Sequence, residues 1–295
     1  VAMVGHPKPG GGIVHEARVV DTATGAEIPV ESPSEYVAEQ VRSQVTMFER
    51  YAWIKLDVNG QVYEKAIDAG LLDRQDDVVR FDHAVNIGVV DRPLRLFAHV
   101  EAAVGEGDER VKVGTVDVSY RYSEQGEIVV DRIGFKPEPE AAGDIPLFAI
   151  EAPDGGYVAL RGWDDEMNPE ALFGKPKRES TEQLDGYAGT FAGMYTKTQT
   201  YDGLELYWIS GDGERFWLTG MRVSSDRFAS SLGIRVGDPA EAVERAYPSV
   251  TVALDGREPP GPFAYVLGEG LSHTSLLFEI DGGIVKEMYF EYLMD

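Results

Sequence analysis

Four strand-like runs in the first half of the chain constrain the fold most strongly. Short turn-like segments rich in Gly, Asp and Ser separate these runs, which span residues 78–90, 94–104, 111–122 and 127–135. In the third run, Val116 and Val118 alternate with Asp117 and Ser119. Such alternation is typical of an antiparallel strand with one buried face. The sequence therefore predicts a long antiparallel sheet.

The segment before this sheet combines a predicted helix with a predicted hairpin. Ser34 is a suitable N-cap and apolar residues follow at near-helical spacing, so we expect one amphipathic helix over about residues 34–51. Asn59-Gly60 between two strand-like runs is typical of a two-residue hairpin turn, because both residues accept positive φ. An alternative places a helix over residues 61–69 that ends at Gly70.

These patterns predict an α+β chain of two domains, each an antiparallel sheet with few helices. The length of 295 residues also favours two domains. Alternating Pro and Glu disfavour both helix and sheet, so we place a linker at residues 139–150, between domains at residues 1–138 and 151–295. One helix followed by a curved sheet admits a cone-shaped NTF2-like fold or a plain sandwich for the first domain.

Composition excludes several classes of function. The chain has no cysteine, which removes thiolate catalysis, disulfides and iron–sulfur ligation. A net charge of −24 repels phosphate backbones and anionic membrane surfaces, so nucleic acid is not an expected partner. No apolar run approaches the roughly 18 residues that a transmembrane helix needs.

The second half of the chain contains the same order of elements twice. A Gly-Asp-Gly turn lies between strand-like runs at residues 204–209 and 215–218, and a similar hairpin follows about 70 residues later, at residues 275–290. A helical segment precedes each hairpin, and Asp238 is the expected N-cap of the second one. We therefore expect a tandem repeat of helix-and-sheet units, packed side by side, at about residues 151–228 and 229–295.

Several segments of this half resemble the tandem modules of the β-lactamase-inhibitor-protein-like fold. They are residues 172–176 (LFGKP), 233–238 (GIRVGD), 247–248 (YP) and 278–283 (FEIDGG). Small outer-membrane lipoproteins of the SmpA/OmlA type and many secreted bacterial proteins share that fold. The resemblance covers about half the chain and implies protein–protein binding without a catalytic motif. It also implies a place outside the cytoplasm, by secretion or by a lipid anchor upstream of Val1.

The candidate residues for metal binding and acid–base chemistry are scattered. No two histidines have metal-ligand spacing in the sequence. His83 and His99 can nevertheless approach each other across neighbouring strands. Paired carboxylates can hydrolyse glycosidic bonds, and the groups Asp76-Asp77 and Asp164-Asp165-Glu166 supply such pairs. A hydrolase of a cell-wall polymer is therefore an alternative function. We expect neither a cofactor nor a metal.

Aromatic residues give the candidate binding site. Along the run at residues 204–209, every second side chain should cover the helices, and the others should face the opposite side. That opposite side would present Tyr207, Trp217 and Tyr289 among acids, with Glu205 and Glu287 as candidate binding residues. Exposed aromatic residues in a charged rim are common in protein interfaces. Ordinary cross-strand pairing that stabilises the sheet is the simpler interpretation.

The sequence thus predicts a non-catalytic, extracytoplasmic binding protein whose partner is another protein or a component of the cell envelope. A purely structural spacer of the envelope is a further alternative to the hydrolase.

Overall fold

The computed structural model describes residues 2–7, 13–21, 23–73, 78–91, 94–105, 110–138, 143–269 and 273–294. Strands account for 52% of the residues and helices for 13%, so the predicted α+β class, dominated by antiparallel sheets, is confirmed. The chain divides into two compact units, Val1–Ile145 and Pro146–Asp295. In the described residues, no helix is both long enough and apolar enough to cross a bilayer.

Unit 1 begins with a small antiparallel sheet and one short helix. The sheet contains β1 (Ala2–Pro7), β2 (Ile13–Val20) and β3 (Glu27–Ile28). Helix α1 (Pro33–Gln40) follows, with Ser32 as its N-cap. The Ser32 hydroxyl accepts a hydrogen bond from the backbone N–H of Glu35 at 3.4 Å.

The predicted helix over residues 34–51 is wrong beyond Gln40. The chain continues instead as β4 (Arg42–Met47), which pairs with β5 (Tyr51–Val58). In this pairing Val45 lies opposite Ile54, so the strand has a neighbour for its backbone groups and for its apolar side chains. β-branched residues such as Val45 and Thr46 favour a strand once such a partner exists.

The predicted hairpin at Asn59-Gly60 is confirmed. Both residues have positive φ, 55° and 84°, and they connect β5 to β6 (Gln61–Asp68). The alternative helix over residues 61–69 is therefore wrong. A short 3-10 helix, Ala69–Leu71, follows the strand.

The four predicted runs form one antiparallel sheet in sequence order. Its strands are β7 (Val79–Asp91), β8 (Leu94–Val104), β9 (Val111–Tyr122) and β10 (Ile128–Pro137). As predicted for β9, Val116 and Val118 are buried while Asp117 and Ser119 remain partly exposed. A second four-stranded sheet has the order β11-β6-β5-β4, where β11 is Asp144–Ile145.

Both sheets and α1 contribute to a single apolar core in unit 1. Val37 of α1, Ile54 of β5, Val100 of β8 and Val116 of β9 belong to this cluster and are at most 1% exposed.

Unit 2 begins inside the predicted linker at residues 139–150. Residues 139–142 of that segment lie outside the described part. The following β11 pairs with β6, and Ala149 is the first residue of β12 (Ala149–Glu151). The segment is thus partly built into sheets, because its apolar residues find strand partners. β12 pairs with β13 (Tyr157–Ala159). Two short helices follow, α2 (Asp164–Met167) and α3 (Pro169–Phe173).

The rest of unit 2 is dominated by one eight-stranded antiparallel sheet. Its first four strands are β14 (Arg178–Gln183), β15 (Tyr195–Thr200), β16 (Leu204–Ser210) and β17 (Trp217–Val223). A 3-10 segment, Gly186–Phe191, lies between β14 and β15. After helix α4 (Ala240–Ala246) come β18 (Thr251–Val252), β19 (Phe263–Glu269), β20 (Thr274–Asp281) and β21 (Ile284–Tyr292).

The strand order of this sheet is β14-β15-β16-β17-β21-β20-β19-β18. It consists of two four-stranded meanders joined through their last strands. Met221 of β17 lies opposite Phe290 of β21. Leu206 is the neighbour of Met221 in the first meander, and Leu276 is the neighbour of Phe290 in the second. Strand pairing is therefore symmetric about the Met221–Phe290 pair.

The side of the sheet that carries these four residues is buried, and we call it the inner face. Helix α4 contributes the buried Val243 to this face. Tyr247 directly follows the helix, and its ring lies 5.2 Å from that of Phe278. The expected N-cap role of Asp238 is wrong, because Pro239 occupies that position. The Asp238 carboxylate instead accepts the backbone N–H of Arg235, which closes the preceding turn.

The central pair of the sheet generates a first prediction. Replacing the fully buried Phe290 by alanine should lower the free energy of unfolding by about 3–5 kcal/mol, because it leaves a cavity where the two meanders meet. Chemical denaturation monitored by circular dichroism measures this change. The neighbouring exposed Glu291→Ala is the matched control and should stay within about 0.5 kcal/mol of the parent protein. Equal stabilities of the two variants would contradict the assignment of the core.

Candidate binding face

The opposite side of the eight-stranded sheet, which we call the outer face, carries four of the five predicted site residues close together. Glu205 on β16 lies opposite Arg222 on β17, and Arg222 lies opposite Tyr289 on β21. Tyr207 is two residues along β16 from Glu205, and Glu287 is two residues along β21 from Tyr289. Because side chains alternate between the faces of a strand, all five point to the same side.

Hydrogen bonds and ion pairs connect these five residues into what we call the central network. The hydroxyl of Tyr207 donates to Glu205 at 2.7 Å, and the hydroxyl of Tyr289 donates to Glu287. The guanidinium of Arg222 lies 2.6 Å from Glu287 and 3.6 Å from Glu205. One arginine thus links two carboxylate–tyrosine pairs across three strands.

Contacts within the central network move the pKa values of Tyr207, Glu287 and Arg222 further from neutral pH. Partial burial, together with the hydrogen bond to Glu205, raises the pKa of Tyr207 to about 12. Burial alone would raise the pKa of Glu287, but hydrogen bonds from Arg222 and Tyr289 outweigh it and hold that pKa below 4.5. The hydrogen bond to the carboxylate of Glu287 raises the pKa of Arg222 above its ordinary value. None of these three groups therefore changes its charge near neutral pH.

Gly220 makes room for the ring of Tyr207. The two residues lie opposite each other, and a Cβ built on Gly220 would be 3.3 Å from Tyr207 Cδ2. The ring therefore lies against the glycine backbone while its hydroxyl reaches Glu205. Tyr207 keeps 37% of its surface exposed in this position.

Trp217, the fifth predicted residue, belongs to a separate aromatic cluster at the start of β17. Its ring lies 5.3 Å from that of Tyr292, edge to face, and a β-bridge joins it to Trp163. We call Trp163, Trp217 and Tyr292 the aromatic cluster. Arginines flank it, with Arg215 lying 4.2 Å from the Trp163 ring and Arg161 5.4 Å from the Tyr292 ring. Arg161 has a φ of 67°, which costs energy for a residue with a Cβ.

The alternation along β16 predicts the face of each of its side chains correctly, with one exception. Leu204, Leu206 and Trp208 are buried and Tyr207 is exposed, as the alternation predicts, but Ile209 is only 3% exposed. Ile209 lies opposite Trp217 in the sheet, beside the aromatic cluster. Arg222 is not among the predicted site residues. Arg222 belongs to a run in which apolar and polar residues alternate, and this alternation identifies its face. Only the order of the strands in the sheet, however, places it between two glutamates.

The carboxylates proposed for a hydrolase are engaged in ion pairs. Asp164 pairs with Lys197 and also accepts the backbone N–H of Phe216 at 3.0 Å. Asp165 and Glu166 both pair with Arg215. These contacts attach α2 to β15 and to the turn that precedes β17, which is a structural role. The other proposed pair, Asp76-Asp77, lies outside the described residues.

The hypothesis of two histidines sharing a metal is not tested. The backbone register places His83 opposite Glu101 and His99 opposite Asn86, but the side chain of His83 lies outside the described residues. His99 Nδ1 lies 2.6 Å from Asp117, whose other oxygen lies 2.6 Å from Lys136 Nζ. In the described part of the chain, no group of three His, Asp or Glu side chains is arranged to hold a metal ion.

Comparison of the chain with models of protein families, with curated proteins and with solved structures gives no significant match.

The lowered pKa of Glu287 generates a prediction about acid stability. A carboxylate whose pKa is lowered by folding stabilises the fold above its ordinary pKa of 4.5, and this stabilisation is lost as the pH falls through the lowered value. Glu287→Gln should therefore lower the melting temperature at pH 7 and should reduce its decline between pH 5 and pH 3.

Thermal unfolding of both proteins across that pH range measures this effect. Glu291→Gln, on the same strand but outside the central network, is the control and should keep the parent's decline. A decline in Glu287→Gln as steep as that of the parent would show that the ion pair with Arg222 contributes nothing.

Proposed function

We propose that this chain is a non-catalytic, extracytoplasmic binding protein that recognises another protein through the outer face of its eight-stranded sheet. The observation that carries the proposal is that unit 2 combines the central network on the outer face with the aromatic cluster where β17 begins. Together they offer three tyrosines, two tryptophans and several arginines. Tyr, Trp and Arg are the residues that contribute most often to the binding energy of protein interfaces.

The central network supports recognition because its side chains are already held in place. Tyr207 and Tyr289 each donate a hydrogen bond to a carboxylate, and Arg222 holds both carboxylates. A partner that docks against fixed side chains loses less conformational entropy on binding than one that must order them. Tyr207 remains exposed enough to make contacts of its own, at 37% of its surface.

The aromatic cluster adds apolar area beside these polar groups. Trp163, Trp217 and Tyr292 are each partly exposed, while Arg161 and Arg215 at its margins are exposed. An apolar patch with a charged margin is the usual anatomy of a protein interface. In the described residues, Arg161 makes no ion pair, so its guanidinium is available to a carboxylate of the partner.

We further propose that the sheet is a tandem repeat of the β-lactamase-inhibitor-protein-like kind. The symmetric strand order about Met221 and Phe290 supports this, as does the helical segment before each meander. The spacing of 70 residues between Leu206 and Leu276 agrees with the repeat length proposed from the sequence. The extracytoplasmic location rests on the same resemblance.

Alanine substitutions on the outer face test the proposed function. The parent protein, immobilised on beads, should capture a partner from the extracytoplasmic fraction of its source cells, and mass spectrometry identifies that partner. Tyr207→Ala and Trp217→Ala should each weaken binding of the purified partner about tenfold or more in Kd, measured by calorimetry. Circular dichroism spectra of both variants should match the parent.

Tyr122→Ala is the matched control. Tyr122 is 63% exposed but belongs to unit 1, so its loss should leave the affinity unchanged. If both outer-face variants bind the partner as tightly as the parent does, the outer face is not the recognition surface. Failure of the parent to capture any protein would instead favour a structural role in the envelope.

A further inference from the structure

The edge strand β14 leaves backbone hydrogen-bonding groups without a neighbour. β14 is the first strand of the eight-stranded sheet and pairs with β15 alone. The backbone N–H of Leu184, just after β14, bonds to the carbonyl of Met194, so even-numbered residues of this segment face β15. The N–H and C=O groups of Glu179, Thr181 and Gln183 therefore point away from the sheet. No strand in the described residues pairs with this edge.

The side chains near the two ends of β14 carry opposite charges. Arg178 and Glu182 are both exposed and lie on the outer-face side of the strand, with Ser180 between them. In the described part of the chain, neither forms an ion pair. Most arginines of unit 2 do have a carboxylate partner, as Arg215, Arg222 and Arg257 show.

We propose that β14 is a dimerisation strand, which pairs antiparallel with β14 of a second copy of this chain. The proposed register places Ser180 opposite Ser180 of the second copy. Glu179 and Thr181, which point outward, then form backbone hydrogen bonds with Thr181 and Glu179 of the second copy. Arg178 lies opposite Glu182 of the second copy, and the same contact occurs twice because the arrangement has two-fold symmetry.

Charge selects this register over its neighbours. A shift of the second copy by two residues in one direction would place Glu179 opposite Glu179, and like charges directly opposite are destabilising. The same shift in the other direction would leave Arg178 opposite Leu184. In the proposed register, Arg178 and Glu182 form non-hydrogen-bonded pairs, in which opposing Cα atoms lie only about 4.5 Å apart and side chains meet most closely.

Such a dimer would join two eight-stranded sheets into one continuous sheet. The two-fold axis runs perpendicular to the sheet, so the outer faces of both copies lie on the same side. Because β14 has only six residues, the shared interface is small and belongs to the weak class of protein interfaces. The dimer should therefore form in a concentration-dependent way.

Analytical ultracentrifugation over a wide range of protein concentration tests the proposal. The mass of the parent protein should rise from 32.4 kDa towards twice that value as the concentration increases. Arg178→Glu and Glu182→Arg should each remain monomeric, because each places like charges opposite one another at both ends of the strand. An equimolar mixture of these two variants should recover the dimer, since their charges complement each other.

Two further variants separate this mechanism from other causes. Thr181→Pro removes an outward N–H without touching the ladder to β15, and it should also be monomeric. Glu214→Arg makes the same charge change as Glu182→Arg at an exposed turn between β16 and β17, and it should dimerise like the parent. A parent protein that stays at 32.4 kDa at every concentration would overturn the proposal. A dimer that survives in Arg178→Glu, Glu182→Arg and Thr181→Pro would overturn it as well.

Discussion

The antiparallel pairing of β17 with β21 joins the two halves of the C-terminal unit. Each meander of four strands has a face of apolar side chains, and the Met221–Phe290 pair makes the two apolar faces continuous. The same pairing brings Arg222 next to Tyr289 on the other side of the sheet. A single strand-to-strand contact thus sets both the buried core of the unit and the arrangement of its candidate binding face.

The two faces of this sheet are stabilised by different kinds of contact. The inner face is covered by helices and by aromatic contacts such as Tyr247 with Phe278. On the outer face, carboxylates are neutralised by arginines on neighbouring strands, as Glu287 is by Arg222. In a chain with 51 acidic and 27 basic residues, these arginines relieve like-charge repulsion that would otherwise weaken the sheet. The proposed recognition would therefore depend on the same few cations as the stability of the sheet does.

The N-terminal unit shows which elements local sequence patterns predict correctly and which they do not. The runs that became β7 to β10 were predicted almost to the residue, because alternation and turn residues agree there with the final pairing. The segment that became β4 was assigned to a helix. Its valine and methionine fit helical spacing nearly as well as strand spacing, and only the contact with β5 decided between the two.

The sequence by itself determined the α+β class, the hairpin at Asn59-Gly60 and the side of β16 on which Tyr207 lies. Each of these depends on neighbours in the chain, through side-chain alternation or through the φ that a turn requires. Only the tertiary structure decided that Arg222 lies between Glu205 and Glu287, and that Trp217 lies beside Trp163 and Tyr292 instead of Tyr207 and Tyr289. Those contacts connect strands far apart in the chain, and strand order follows from how whole faces bury their apolar area, which no local pattern records.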